Sequence, residues 1–345
     1  MKVERLVFVI REKLRIFVIG KNEPEQNSVL LKEAFERLGH EVFIYSFPEI
    51  SHETLINNIH YGSPDILLQF GGRGKRINHL AYAKRNGVVT ALWYADAYGL
   101  TTKVDHDFFY SIKDHLDIAF ISVKGLVSEI SSLGINAVWV PQYYDNHFYA
   151  PTVERLQSGN DIYDWVFVGN RNNPKLERES KLKKILRSLR KSKFKICGKG
   201  YSFKADYVTG TELANLFSCS KMVINFTYKL NPCDLQMSDR IFKVMGCGAM
   251  FLTEPIMGIE KLFTPGKHLV QFNSLDDLVE KITYYKSETN AHRREEIALN
   301  GKQEVLNNHT IDIRAKEYIK HFFNILSVSG RMKKDLRIIT KKFTS

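Results

Sequence analysis

The sequence predicts an α/β protein with two successive Rossmann-like domains. Three features point there. Residues 14–20, Leu-Arg-Ile-Phe-Val-Ile-Gly, read as a strand ending in glycine; Ser28 to Leu38 has helical apolar spacing stopped by Gly39; Glu41 to Phe47 is the next strand. The alternation restarts at Asp164-Trp165-Val166-Phe167-Val168-Gly169, a second apolar strand breaking into glycine. Between them, residues 152–162 are polar, contain Ser158-Gly159-Asn160 and have the composition of a linker. The expected organisation is a first domain over 1–150, a linker over 151–162, a second domain over 163–310, and a terminal helix and basic tail over 311–345.

Composition narrows the class. The chain has 345 residues, long for one domain and comfortable for two, and is 44% hydrophobic, enough for sizeable cores. No apolar run is long enough to cross a bilayer. Val7-Phe8-Val9-Ile10 is too short for the core of a signal peptide and charges follow it, so a cytoplasmic location is expected. Cys197, Cys219, Cys233 and Cys247 form no CxxC pair and have no histidine at zinc spacing, which disfavours disulfides and structural zinc. The net charge of +12 favours anionic partners: nucleotide diphosphates, nucleic acid or acidic lipid.

In the first half, His52 to Ile59 reads as helix and Asp65 to Phe70 as a buried strand. Gly71-Gly72-Arg73-Gly74-Lys75-Arg76 follows, a loop whose amides and cations suit an anion. It lacks P-loop spacing, and no GxGxxG follows the first strand, so neither ATP hydrolysis nor NAD binding is supported. Val88 to Asp96 is an aromatic-rich strand with Asp96 at its end, a candidate to orient a hydroxyl or act as general base, with His106 and Asp107 close behind. Ile118 to Val123 is a strand, Gly125 to Leu133 a helix, and Ala137 to Pro141 the last strand of this half.

In the second half, a long basic helix spans Lys175 to Lys191, and Phe194-Lys195-Ile196-Cys197 is a strand running into Gly198-Lys199-Gly200-Tyr201. Thr211 to Phe217 is a short helix, and Cys219 to Phe226 a strand with Asn225 near its end. Ser238-Asp239-Arg240-Ile241-Phe242-Lys243-Val244-Met245-Gly246-Cys247-Gly248-Ala249 then reads as a helix capped by Ser238 or Asp239 and closed at Gly248, and Met250-Phe251-Leu252 as a buried strand with Glu254 beyond it. Arg240, at the helix start, is the strongest candidate to meet a phosphate. Ala315, Tyr318, Ile319, Phe322, Phe323 and Leu326 make one apolar face of a terminal helix. Beyond it, Arg331, Lys333, Lys334, Arg337, Lys341 and Lys342 oppose Met332, Leu336, Ile339 and Phe343, a pattern suited to an anionic membrane or to a solvated helix face.

The 238–249 segment with Leu252-Thr253-Glu254-Pro255 resembles the C-terminal signature of GT-B glycosyltransferases, nearest the CgeB-like branch. The likeness continues through Gly258 to Phe263, Gly266-Lys267-His268 and Asp276-Asp277-Leu278, and Val140-Pro141 with Asp145 and Pro151 resembles the family's hinge. It implies a GT-B fold, two Rossmann-like domains facing each other across a cleft, whose terminal helix returns to the first domain. It implies a nucleoside-diphosphate sugar as co-substrate, with no cofactor or metal, and a glycan or lipid-linked acceptor. On that reading Gly169, Asn170 and Arg171 approach the donor pyrophosphate, and Gly198, Lys199, Gly200 and Tyr201 border the base, with Tyr201 stacking on it. Asn225 faces the cleft, and Arg240 and Lys243 meet the diphosphate. Asp96 or His106 serves the acceptor hydroxyl, with Gly72 and Arg73 on the acceptor side. The chain departs from the family at Lys243 and Leu235, where retaining enzymes carry glutamates; Asp239 or Glu254 is the expected substitute for holding ribose hydroxyls. Two other readings stand beside this one: a nucleic-acid-directed protein, motivated by the charge, and a catalytically silent GT-B scaffold, motivated by Lys243.

Overall fold

The structure is a computed structural model that describes residues 13–47, 49–71, 77–95, 103–152, 163–171, 177–203, 205–227 and 233–330. Its first sheet holds β1 (Arg15–Ile19), β2 (Glu41–Tyr45), β3 (Ile66–Phe70), β4 (Val89–Tyr94), β5 (Ile118–Ile121) and β6 (Ala137–Trp139), in the order β2-β1-β3-β4-β5-β6. All its pairings are parallel. Central strands of such a sheet are covered on both faces and so carry continuous apolar runs. The sequences ILLQF of β3 and VTALWY of β4 are accordingly buried at every position. Helices α1 (Asn27–Arg37), α2 (His52–Gly62), α3 (Asn78–Arg85), α4 (Lys103–Ile112) and α5 (Val127–Ser132) belong to this domain.

The second sheet repeats the pattern with β7 (Tyr163–Val168), β8 (Phe194–Cys197), β9 (Ser220–Asn225), β10 (Met250–Thr253) and β11 (Val270–Gln271), in the order β11-β10-β9-β7-β8. Its helices are α6 (Arg178–Ser188), α7 (Gly210–Ser218), α8 (Arg240–Gly246), α9 (Leu275–Lys286), α10 (Ala291–Asn308) and α11 (Ile311–Val328). The basic helix is shorter than its charge pattern suggests. Gly248 closes the turn after α8 with φ +88, a conformation cheap for glycine alone. In both sheets the second strand lies on one side of the first and the third on the other. Connections therefore diverge between β1 and β3, and between β7 and β9, and a crevice opens at the carboxyl ends of those strands.

The last helix completes the first domain. Tyr318 is buried; its hydroxyl accepts from Trp93 Nε1 of β4 at 2.9 Å, and its ring meets Phe120 of β5 edge-on at 4.5 Å. Phe322 packs on Phe35 and Phe120, and Asp312 pairs with Arg37 of α1 at 2.9 Å. The chain crosses between domains beside Tyr144. The Tyr144 amide donates to the His309 carbonyl and the Ile311 amide donates to the Tyr144 carbonyl, both at 2.9 Å. The Tyr144 ring lies flat against α8 at Gly246, where a Cβ would stand 2.5 Å from it. One hydrophobic cluster consequently runs unbroken from β1 and α1 through Tyr143, Tyr144 and Tyr149 to α7 and α8.

All four cysteines are free thiols. No helix among the described residues is long and apolar enough to cross a membrane, and the basic tail after Gly330 lies outside them.

The Gly246–Tyr144 contact yields a prediction. Gly246→Ala forces the ring away from α8, and overpacking of this kind costs about 1–3 kcal/mol. Urea denaturation should register that loss; an unchanged midpoint would mean the hinge is not tightly packed on α8.

Candidate active site in the interdomain cleft

The second-domain wall begins where β7 and β8 end. Gly198 has φ +142, and a Cβ there would collide with the Gly169 carbonyl oxygen, so the two loops cross with no room for a side chain. Hydrogen bonds knit them together. Asn170 Oδ1 accepts from the Lys199 amide at 2.8 Å, and the Arg171 amide donates to the Lys199 carbonyl at 2.9 Å.

Arg240 reaches into the space above Gly169 from the start of α8. Its Nη1 donates to Asn225 Oδ1 at 2.6 Å, and Asn225 is held in turn by its own Nδ2 donating to Thr253 Oγ1 at 3.1 Å. Gly169 leaves the space the guanidinium occupies, since a Cβ there would lie 3.2 Å from Nη2. Burial, then the like charge of Arg178, push Arg240 down to about 10, which leaves it cationic at neutral pH. Arg178 is fixed by donating to the Asn170 carbonyl at 2.6 Å.

Lys243 lies one turn along α8. Its Nζ pairs with Asp239 at 2.6 Å, donates to the Tyr149 hydroxyl at 2.9 Å and sits 4.2 Å from the centre of that ring. Burial opposes the charge, but Asp239 and Tyr149 outweigh it and the Lys243 pKa is raised. Burial likewise works against Asp239, and Lys243 and Arg240 prevail, lowering its pKa.

Glu25 and Gln26, at the start of α1, form the facing wall. Tyr207 crosses from the second domain: its hydroxyl donates to Glu25 Oε1 at 3.1 Å, and Lys199 Nζ sits 4.2 Å from its ring centre. Burial and then the Glu25 carboxylate raise the phenol's pKa. The walls enclose a cleft of about 310 Å³. A second cavity of about 300 Å³ lies behind the hinge, lined by Tyr144, Cys247, Leu299 and Leu306, with Lys302 its one cation among the described residues and Glu295 also on its lining. The interdomain cleft, at the strand switch points and carrying clustered cations, is the better candidate for chemistry.

Gly169, Asn170, Gly198, Arg240 and Lys243 thus line one cleft, with Asn225 behind them as an anchor. Other sequence-predicted residues sit differently. Tyr201 does not face it: its ring stacks on Phe203 at 5.0 Å and its hydroxyl donates to the Gly169 carbonyl at 2.7 Å, because it serves the core beneath the loop. Arg171 turns to Glu179 at 2.8 Å and to the Gly200 carbonyl at 3.3 Å, off the lining. Glu254 is 5% exposed, pairs with Lys181 at 3.1 Å and accepts from the Thr227 amide at 2.8 Å, so it braces the loop after β9. Asp239 makes no side-chain cap to α8 and is committed to Lys243. His106 is exposed on α4, away from the lining. Gly72, Arg73 and Asp96 lie outside the described residues. The residues that sequence reasoning missed are Glu25, Tyr149, Arg178 and Tyr207. Only Tyr149 carried a signal, lying inside the hinge motif; the others depend on which loops the sheets bring together.

Residues 178–320 match the family model described as "Glycosyl transferase-like". Over about nine-tenths of its length the chain superposes on solved structures. Sucrose-phosphate synthase from Thermosynechococcus elongatus aligns at TM-score 0.61 and 10% identity, over 91% of this chain and 100% of that one. A glycosyltransferase from Rickettsia africae aligns at 0.64 and 13%, over 91% and 99%. Anabaena Alr3699/HepE, crystallised with UDP-glucose, aligns at 0.64 and 10%, over 90% and 100%. The fold is GT-B. No curated protein matches the chain in sequence. The matched stretch runs from α6 into α11, and within this GT-B fold the Arg240–Lys243 turn lies at the mouth of the second sheet's switch point.

The Asp239–Lys243 pair makes stability depend on pH. A carboxylate with a depressed folded pKa contributes stability above its usual value near 3.8, and that contribution is lost as pH falls through the folded value. Asp239 keeps about a third of its side chain exposed, which discounts the fully buried case, so Lys243→Met should cost roughly 1–3 kcal/mol at pH 7. The penalty should shrink at a more acid pH, as the pH falls through the depressed folded value and Asp239 takes a proton. Equal penalties at both pH values, in parallel denaturant titrations, would show that the pair carries no such energy.

Proposed function

We propose that this protein is a glycosyltransferase that moves a sugar from a nucleoside-diphosphate sugar to a hydroxyl on a glycan or lipid-linked acceptor. The observation that carries this reading is Arg240, clamped by Asn225 over Gly169, with Lys243 beside it and the charge of Arg178 close by. Breaking the anomeric C–O bond leaves its electron pair on the departing phosphate oxygen. A guanidinium offers two parallel donors to such oxygens and is already oriented by the asparagine, so little reorganisation accompanies the charge as it develops. Side-chain cations supply the neutralising charge in this scheme, and no metal is required. The glycosyl transferase-like domain and the GT-B architecture support the reading, and the HepE complex is a structure of this fold crystallised with UDP-glucose. Asp96, two residues beyond β4 in the sequence, is our candidate for the acceptor's proton, with Gly72 and Arg73 as candidate acceptor-side residues. The 238–255 segment favours the CgeB-like branch, and the basic tail suits peripheral contact with the anionic inner face of a membrane.

Calorimetric titration with UDP, GDP, dTDP and CDP, with and without EDTA, tests this reading. At least one should bind equally well in either buffer. Arg240→Met should weaken it roughly ten- to hundredfold, the range expected for hydrogen bonds to a charged group. If none of the four binds, or if the substitution has no effect, the diphosphate assignment is wrong.

A further inference from the structure

The cleft is cationic on one wall and acidic on the other. Glu25 carries the one carboxylate among the described residues lining it. The two carboxylates offered by the sequence as alternatives for holding the ribose hydroxyls are committed elsewhere, Asp239 to Lys243 and Glu254 to Lys181 and Thr227. Lys243 has only donors and cannot accept from a hydroxyl. Next to Glu25 stands Tyr207, 51% exposed, its ring on the cleft surface and its hydroxyl bonded to Glu25 Oε1 at 3.1 Å. Aromatic face, carboxylate and cations therefore line one cavity. A nucleoside diphosphate presents the complementary set: a flat base, a ribose diol that donates hydrogen bonds, and a polyanion.

We infer that Glu25 reads the ribose diol of the donor nucleotide from the first domain, with Tyr207 steadying its carboxylate and offering its ring to the base. This rests on the donor reading above. A carboxylate has about four acceptor positions, of which Tyr207 takes one, so the diol can be met without breaking the cross-cleft bond. Because Glu25 lies in the turn just before α1 and Arg240 begins α8, the nucleotide touches both domains. Its binding favours the closed arrangement over an open one by whatever the Glu25 contact contributes, since only closure brings that contact into reach.

The experiment compares UDP, GDP and CDP with their dideoxyribose counterparts, by calorimetry, on the wild type, Glu25→Ala, Glu25→Gln and Tyr207→Phe. The wild type should prefer the ribonucleotide roughly ten- to hundredfold, as for hydrogen bonds to a charged acceptor. Glu25→Ala should bring that ratio close to one, by weakening the ribonucleotide and leaving the dideoxy form unchanged. Glu25→Gln should lie between, since an amide oxygen still accepts, and Tyr207→Phe should reduce the ratio only in part. A ratio that survives Glu25→Ala, an equal weakening of both forms, or a wild type without preference overturns the inference while leaving the donor reading intact. If no ribonucleotide or dTDP binds the wild type, the donor reading falls and this inference with it.

Discussion

The cleft exists because the chain is pinned where it passes between domains. Tyr144 is held by two backbone bonds to the segment entering α11, and its ring lies on α8 at Gly246. That one contact ties the hinge, the terminal helix and the Arg240 helix into a single packed unit. Because α11 then buries Tyr318 and Phe322 against β4, β5 and α1, the first domain's core is completed by the last described part of the chain. The facing positions of Glu25 and Arg240 follow from this arrangement, and so does the width of the space between them.

Charge in the cleft is arranged by what each cation is given as a partner. Lys243 has a carboxylate, a hydroxyl and an aromatic face, and so serves as a positioned but satisfied charge. Arg240 hydrogen-bonds a neutral amide oxygen, with the like charge of Arg178 and the opposite charge of Asp239 nearby; the ion pair of Asp239 is with Lys243, which leaves much of the Arg240 field available to a ligand. Two cations three residues apart on one helix thus play different parts. Where the signature that the sequence resembles carries glutamate, Lys243 instead braces Asp239 and the hinge tyrosine. The ribose task this displaces falls to the opposite wall in our reading.

Much of this could be read from the residues. Apolar runs such as ILLQF and VTALWY admit only strands buried on both faces, and the change from those runs to helical spacing located most elements within a few residues. Gly169, Gly198 and Gly248 were visible as punctuation because side chains are excluded or strained there. The short helices α3 and α4 were not read: their polar ends leave too little periodicity to stand out, and packing against the sheet stabilises them. Tyr201 was read as the base-stacking residue because it follows a Gly-x-Gly turn, and Tyr207 carries no such mark. Sequence cannot tell which of two nearby tyrosines turns inward to Phe203 and which crosses to another domain.

The sequence by itself determined the two α/β halves, the strand ends where ligands gather and the excess of positive charge, because these follow from local periodicity and composition. Tertiary structure alone decided which polar side chains are free to act. Arg171, Asp239 and Glu254 bear the same charges in the sequence as in the fold. Arg171 meets a partner eight residues away on α6, Asp239 one on the next helical turn and Glu254 one 73 residues back in the chain, and each partner removes it from the cleft. Glu25 meets Tyr207 across 182 positions of chain, and no local pattern encodes that distance.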